Sequence, residues 1–90
     1  MHDANPETLF EFPCEFPVKA FGLAGPELAE TVLAIVHRHA PEVGPGDLSL
    51  RPSGKGRYEA VTVTITARSK EQLDAIYHDL TASPMILMAL

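Results

Sequence analysis

Between Ala60 and Ala67 the chain alternates. Val61, Val63 and Ile65 fall on one side, and Ala60, Thr62, Thr64 and Thr66 on the other. A period of two places successive side chains on opposite faces of a sheet, and β-branched residues suit that pleated surface. This is the clearest strand in the sequence, and the stretch that leads into it from Arg51 is a glycine-rich basic turn. A shorter strand is predicted over Asp47 to Arg51 and ends at Pro52, which suits an edge. The two strands read as a hairpin closed through Ser53 to Arg57.

Two segments carry the period of a helix. Leu28, Val32, Ile35, Val36 and His39 form one apolar stripe. Pro26 suits the first helical position, where its missing N–H costs nothing, and Glu27 and Glu30 lie near the positive end of the dipole. Pro41 stops this helix. Leu73, Ile76, Tyr77 and Leu80 form the second stripe. It opens on Ser69 and Gln72 at capping-box spacing and breaks at Ser83-Pro84.

The remaining segments fill in the order. Residues 1–9 are polar and acidic, and a mobile tail is expected there, with a single domain over 10–90. In Phe10-Glu-Phe-Pro-Cys-Glu-Phe-Pro, Pro13 and Pro17 are expected to frame a turn and the three Phe to cover a core edge. The first strand is predicted over Val18 to Gly22, and the last over Met85 to Leu90, which is apolar throughout. The order β-α-β-β-α-β predicts an α+β, ferredoxin-like split βαβ sandwich. Its four-stranded antiparallel sheet has order 4-1-3-2, with two helices on one face. A last strand that is apolar on both faces lies at an edge in that order, and an uncovered edge invites pairing. A homodimer through this strand or through the wet sheet face is therefore expected.

Composition narrows the partners. Ninety residues make one small domain, and a net charge of −5 opposes general binding to nucleic acid or to an anionic membrane. Three of the seven basic residues, Arg51, Lys55 and Arg57, nonetheless sit in one turn. Cys14 is the single cysteine, so no internal disulfide forms and no C-x-x-C exists. The acidic start lacks the pattern of a signal peptide, and no apolar run approaches the roughly 20 residues that span a bilayer. A cytoplasmic protein is expected.

Ser53-Gly-Lys-Gly-Arg-Tyr58 is the sharpest candidate site. Gly54 and Gly56 free the backbone to expose N–H groups, and Lys55 and Arg57 add charge, so such a loop can hold an anion. The plainer alternative is a hairpin that needs glycine. It is not a Walker loop, which needs Gly at Ser49 and Ser or Thr at Gly56. Ala20-Phe-Gly22-Leu-Ala-Gly25 resembles a dinucleotide fingerprint without its first glycine, and an anion at the following helix N-terminus is physically reasonable, but the parallel βαβ context is missing. His37 and His39 point about 200° apart on a helix and cannot share a helical metal site. Cys14 stands in an acidic setting that does not activate a thiol. An RNA-recognition module shares the topology but reads bases with aromatics on its sheet, where this chain offers Tyr58 alone beside Ala60 and threonines.

Several stretches together resemble the YbeD-like family of small bacterial proteins. They are Leu9-Phe-Glu-Phe-Pro, Phe16-x-x-Lys19-x-x-Gly22, Arg38-His39-Ala40-Pro41 and, most specific, Pro52-Ser-Gly-Lys-Gly-x-Tyr58. The family's turn reads Ser-Ser-Lys-Gly where this chain has Ser53-Gly54-Lys55-Gly56, one hydroxyl fewer. The resemblance implies a ferredoxin-like fold similar to ACT regulatory domains. It also suggests a connection with lipoate metabolism, because members are often encoded near enzymes of lipoate biosynthesis. In ACT domains the strand-to-helix turn often lines the effector site, and Gly25-Pro26-Glu27-Leu28 is similar to that turn without its leading Asp. The expectation is a non-enzymatic regulatory or adaptor module, without a cofactor. It binds a small effector or a partner enzyme through Gly22, Gly25, Ser53, Lys55, Arg57 and Tyr58. The alternative is a small enzyme or acyl-transfer accessory acting on an anionic substrate at the basic turn.

Overall fold

The computed structural model describes residues 11–90. Along the chain run β1 (Cys14–Leu23), α1 (Pro26–His39), β2 (Leu48–Ser53), β3 (Tyr58–Ala67), α2 (Lys70–Ala82) and β4 (Met88–Ala89). The strands form one antiparallel sheet in the order β2-β3-β1-β4. Read from the opposite edge this is the 4-1-3-2 order that the sequence predicts, and the fold is α+β and ferredoxin-like.

The alternating strand is central and pairs along its whole length with β1, from Cys14 opposite Ala67 to Leu23 opposite Tyr58. Val63 sits between Val18 on one side and Leu48 on the other. Val18, Ala20, Val61, Val63, Ile65 and Ala67 form one buried cluster with Leu28, Val32, Ile35 and Val36 of α1 and Leu73, Ile76 and Leu80 of α2. Every buried strand residue in it lies on one face, so both helices cover that face and leave the other open. Phe12 and Phe16 pack against the rim of this core. Phe10 and the predicted tail over 1–9 lie outside the described residues.

Four boundaries differ from the sequence reading, each for a physical reason. First, β1 begins at Cys14 and runs through Pro17, so Pro13 alone stands in the entry turn, after a cis peptide bond from Phe12. Lys19 exchanges backbone bonds with Leu90 on the β4 side, at 3.1 and 2.8 Å. Pro17, two residues earlier, turns to that same side beyond the Lys19–Leu90 pair, where no described strand lies. Its missing N–H costs no ladder bond there. Second, β2 runs on through Pro52 to Ser53 because it too is an edge strand. Third, β4 is shorter than expected. The Ser83-Pro84 turn continues into Ile86, whose N–H bonds to Ser83 at 3.1 Å and whose side chain is buried, so pairing with β1 starts only where Leu87 donates to Phe21 O at 2.8 Å.

The fourth difference is at the start of α2. Ser69 Oγ accepts from Gln72 N at 3.1 Å as the capping box requires. The reciprocal bond goes one residue astray: Gln72 Oε1 accepts from Arg68 N at 2.6 Å. The amide's other end donates to His39 O at 2.8 Å, so one glutamine ties the start of α2 to the end of α1, one of whose orphan carbonyls it satisfies.

Candidate functional site

The two glycine-bearing segments meet at one end of the sheet. β1 ends opposite the start of β3, with Gly22 facing Glu59 and Leu23 facing Tyr58, and Ser53 faces Tyr58 from the other side. Ala24 N then donates to Arg57 O at 2.9 Å. The strand-to-helix turn and the basic turn are therefore one structure, joined by backbone.

Each glycine has its own reason. Gly22 is buried, and a side-chain carbon there would stand 2.5 Å from Met85 O and 2.9 Å from Leu28 Cδ1. It lets α1 and the chain before β4 close onto β1. Gly25, at φ 151°, is the N-cap of α1 and has no side-chain cap to offer. A carbon added to it would lie 3.2 Å from Glu27 Oε1, so the chain's own carboxylate already stands at this helix start, where the dipole favours it.

The basic turn is a single 3-10 turn over Gly54–Gly56, closed by Arg57 N to Gly54 O at 3.3 Å. Gly54, Lys55 and Gly56 have φ of 57°, 61° and 86°. Three successive left-handed residues reverse the chain in the least space, which is why glycine flanks the one lysine. Ser53, Lys55 and Arg57 are exposed, whereas Tyr58 is half-buried. Its ring stacks on Phe21 and packs over Gly54, where an added carbon would lie 2.8 Å from Tyr58 Cδ2. Of the six residues singled out from the sequence, Ser53, Lys55 and Arg57 face solvent, Tyr58 is half in the packing, and Gly22 and Gly25 shape the backbone.

Residues that the sequence reading did not count among its site residues complete the neighbourhood. Lys19, Ala20, Phe21, Ala60, Met88 and Leu90 line a hollow of about 210 Å3, and register puts all of these but Ala20 on the open sheet face. Phe21 and Lys19 alternate out of phase with buried Val18 and Ala20, so the signal lay within the strand predicted over Val18 to Gly22.

Among the described residues no group of three or more His, Cys, Asp or Glu is placed to hold a metal ion. His37 Nδ1 bonds to Val43 O at 3.3 Å, and His39 Nε2 donates to Asp79 Oδ2 at 2.7 Å, so the two rings serve separate contacts. The His39 hydrogen bond holds the Asp79 carboxyl below its ordinary value, helped by Arg38. Glu42 is likewise lowered, by a backbone hydrogen bond and by Arg68. Burial raises the Tyr77 phenol, whose O–H donates to Leu90 O. Among the described residues no helix is long and apolar enough to cross a membrane.

Comparison with known proteins places the chain. Residues 7–90 match the family model described as a protein of unknown function, DUF493. The chain belongs to this family. It is 48% identical over 90 residues to a UPF0250 protein of Chromobacterium violaceum, covering the whole of both chains. It is 48% identical over 84 residues to one of Paraburkholderia phytofirmans, covering 93% of this chain and 94% of the relative. The match to one of Neisseria gonorrhoeae is 41% over 86 residues, covering 96% and 94%. This is the YbeD-like family that the turn and strand motifs resemble.

Proposed function

We propose that this protein is a non-catalytic, ACT-like adaptor module working in the cytoplasm, and that it holds a partner enzyme at the turn end of its sheet. The observation that carries this reading is the bond from Ala24 N to Arg57 O. It fuses two separately suspected segments into one end that presents exposed Lys55 and Arg57. Charges laid out on an exposed turn suit a partner surface better than an enclosed effector. An enzyme of lipoate metabolism is the partner class that the family resemblance suggests.

Affinity capture of the native protein from its own cells, followed by mass spectrometry, tests the reading. One enzyme recovered in stoichiometric amount is the expected result; recovery of no specific protein overturns it. A thermal-shift screen of metabolites tests the small effector, since a ligand that binds only the folded state must raise the melting temperature.

Self-association is a second reading, favoured by the exposed apolar side chains at the C-terminal edge. Leu87 is 59% exposed and Met88 53%, and β4 has no further neighbour among the described strands. Edge pairing there gives a homodimer, and sedimentation showing only monomer at high micromolar concentration excludes it.

A further inference from the structure

The basic residues fall into two groups. Arg38, Arg68 and Lys70, on or beside the helices, each face an acid: Asp79 at 3.7 Å, Glu42 at 2.9 Å and Asp74 at 2.8 Å. Lys19, Arg51, Lys55 and Arg57 are exposed and make no ion pair among the described residues.

Register puts the first two of these on the open sheet face. Ala60 lies between Arg51 and Phe21, and Phe21 pairs with Met88. On the next rung Thr62 lies between Ser49 and Lys19, and Lys19 bonds to Leu90. Phe21, Met88 and Leu90 thus form an apolar patch around Lys19 at the β4 side, with Arg51 beyond Ala60 on the other side of Phe21, and the hollow of about 210 Å3 lies among Lys19, Phe21, Ala60, Met88 and Leu90. Leu90 is 69% exposed, and Leu23, at the turn end of the same face, is 64% exposed. The acids lie elsewhere: Glu27, Glu30, Glu71, Asp74 and Asp79 are on the helices behind the sheet. On this face of the strands only Glu15 is acidic, four residues along β1 from Lys19.

We propose that this open face, which carries Lys19 and Arg51, docks an acidic protein segment whose apolar side chains cover Phe21, Met88 and Leu90: an acidic amphipathic helix of the partner. The proposal rests on the adaptor reading and adds which face holds the partner and what chemistry it carries. Exposed apolar side chains grouped on one face mark an interaction site, and cations beside them that make no ion pair among the described residues select carboxylates. A second copy of this chain fits poorly. Packing two such faces together brings two surfaces that each carry Lys19 and Arg51 into contact, like charge against like. Packing the face onto an acidic helical side instead gives a head-to-tail contact, which builds rings or filaments rather than a twofold dimer.

The probe is a synthetic amphipathic helical peptide with Glu along its polar face and Leu along its apolar face. A copy with Lys in place of Glu and a single-stranded oligothymidylate serve as controls. The Glu peptide is expected to shift the amide resonances of Lys19, Phe21, Ala60 and Met88. Its affinity is expected to fall at least about tenfold in the K19E/R51E double variant, and with salt raised from about 50 to about 500 mM. The variant keeps its circular dichroism, because neither side chain makes an ion pair. Equal binding of the Lys peptide, shifts confined to α1 and α2, tighter binding of the oligonucleotide, or no binding of the Glu peptide at millimolar concentration each overturns the proposal. Capture separates it from the adaptor reading. A partner enzyme that the double variant retains leaves the adaptor standing and removes this face, whereas loss of that enzyme from the variant supports it.

Discussion

The rings of Phe21 and Tyr58 stack across β1 and β3, with centroids 5.4 Å apart and planes 20° from parallel. The two residues are diagonal neighbours, since Phe21 pairs with Ala60 and Tyr58 with Leu23, and long aromatic side chains reach across such diagonals. The stack anchors the basic turn to the sheet: Tyr58 follows Arg57 directly, and Gly54 lies under its ring. A double-mutant cycle with Phe21→Leu and Tyr58→Leu is expected to give a coupling of about 0.5–1.5 kcal/mol in denaturant unfolding. A coupling near zero would mean the rings merely lie side by side.

Three glycines separate crowding from backbone strain. At Gly22 an added carbon meets a backbone oxygen at 2.5 Å, without a left-handed φ. At Gly56 nothing lies within 4 Å, but φ is 86°. At Gly54 both problems occur, a ring carbon at 2.8 Å and φ 57°. Gly22→Ala is expected to cost about 1–3 kcal/mol from overpacking, and Gly56→Val about 1–3 kcal/mol from strain. Gly54→Val is expected to cost more than Gly56→Val. Thermal unfolding of the three variants checks the order.

The fold was legible in the sequence because its signals are local and redundant. Val61, Val63 and Ile65 have a period of two whatever surrounds them, and the stripes through Val32 and Ile76 identify the helices equally well. Strand ends were less legible because they depend on neighbours. Pro17 reads as a breaker until it is known that its nitrogen faces an edge where no described strand pairs with it. Met85 to Leu90 reads as one strand until Ile86 is seen to turn into the core. For the candidate site, Lys55 and Arg57 were visible as a cluster of charge. The apolar patch was not, because Phe21 and Met88 lie 67 residues apart in the chain and only the sheet makes them neighbours.

Ile35, 4% exposed, and Val63, fully buried, belong to the one core cluster. Ile35→Ala and Val63→Ala are each expected to cost about 2–4 kcal/mol, the lost transfer energy plus the cavity left behind. A loss well under 1 kcal/mol in urea unfolding for either would contradict the packing.

The acid limb of stability should depend on Asp79. Its carboxyl is lowered by the His39 hydrogen bond and, less, by the charges of His39 and Arg38. A depressed folded value means the unfolded chain binds its proton first as pH falls. The contribution is therefore fully present above the ordinary aspartate value of 3.8 and is lost as pH drops through the lower folded value. Asp79→Asn is expected to flatten the melting temperature between about pH 4 and pH 2 relative to the parent chain. An unchanged acid limb would assign acid unfolding to other carboxylates.

Charge on the basic turn should matter to binding and little to folding. Lys55 and Arg57 are exposed and make no ion pair among the described residues. Even a paired surface charge contributes only about 0–1 kcal/mol. Lys55 also sits at φ 61°, where alanine is strained to the same degree. Lys55→Ala with Arg57→Ala should therefore leave the melting temperature nearly unchanged, whereas Lys55→Gly should raise it slightly by relieving the left-handed strain. The double alanine variant should bind the captured partner enzyme more weakly, and the remaining affinity should depend less on salt, because fewer charges are left to screen. Wild-type affinity and salt dependence in that variant would reduce Ser53 to Tyr58 to a hairpin that happens to be basic. A large drop in melting temperature would show instead that Arg57, whose carbonyl receives Ala24 N, is held by its side chain as well as by its backbone.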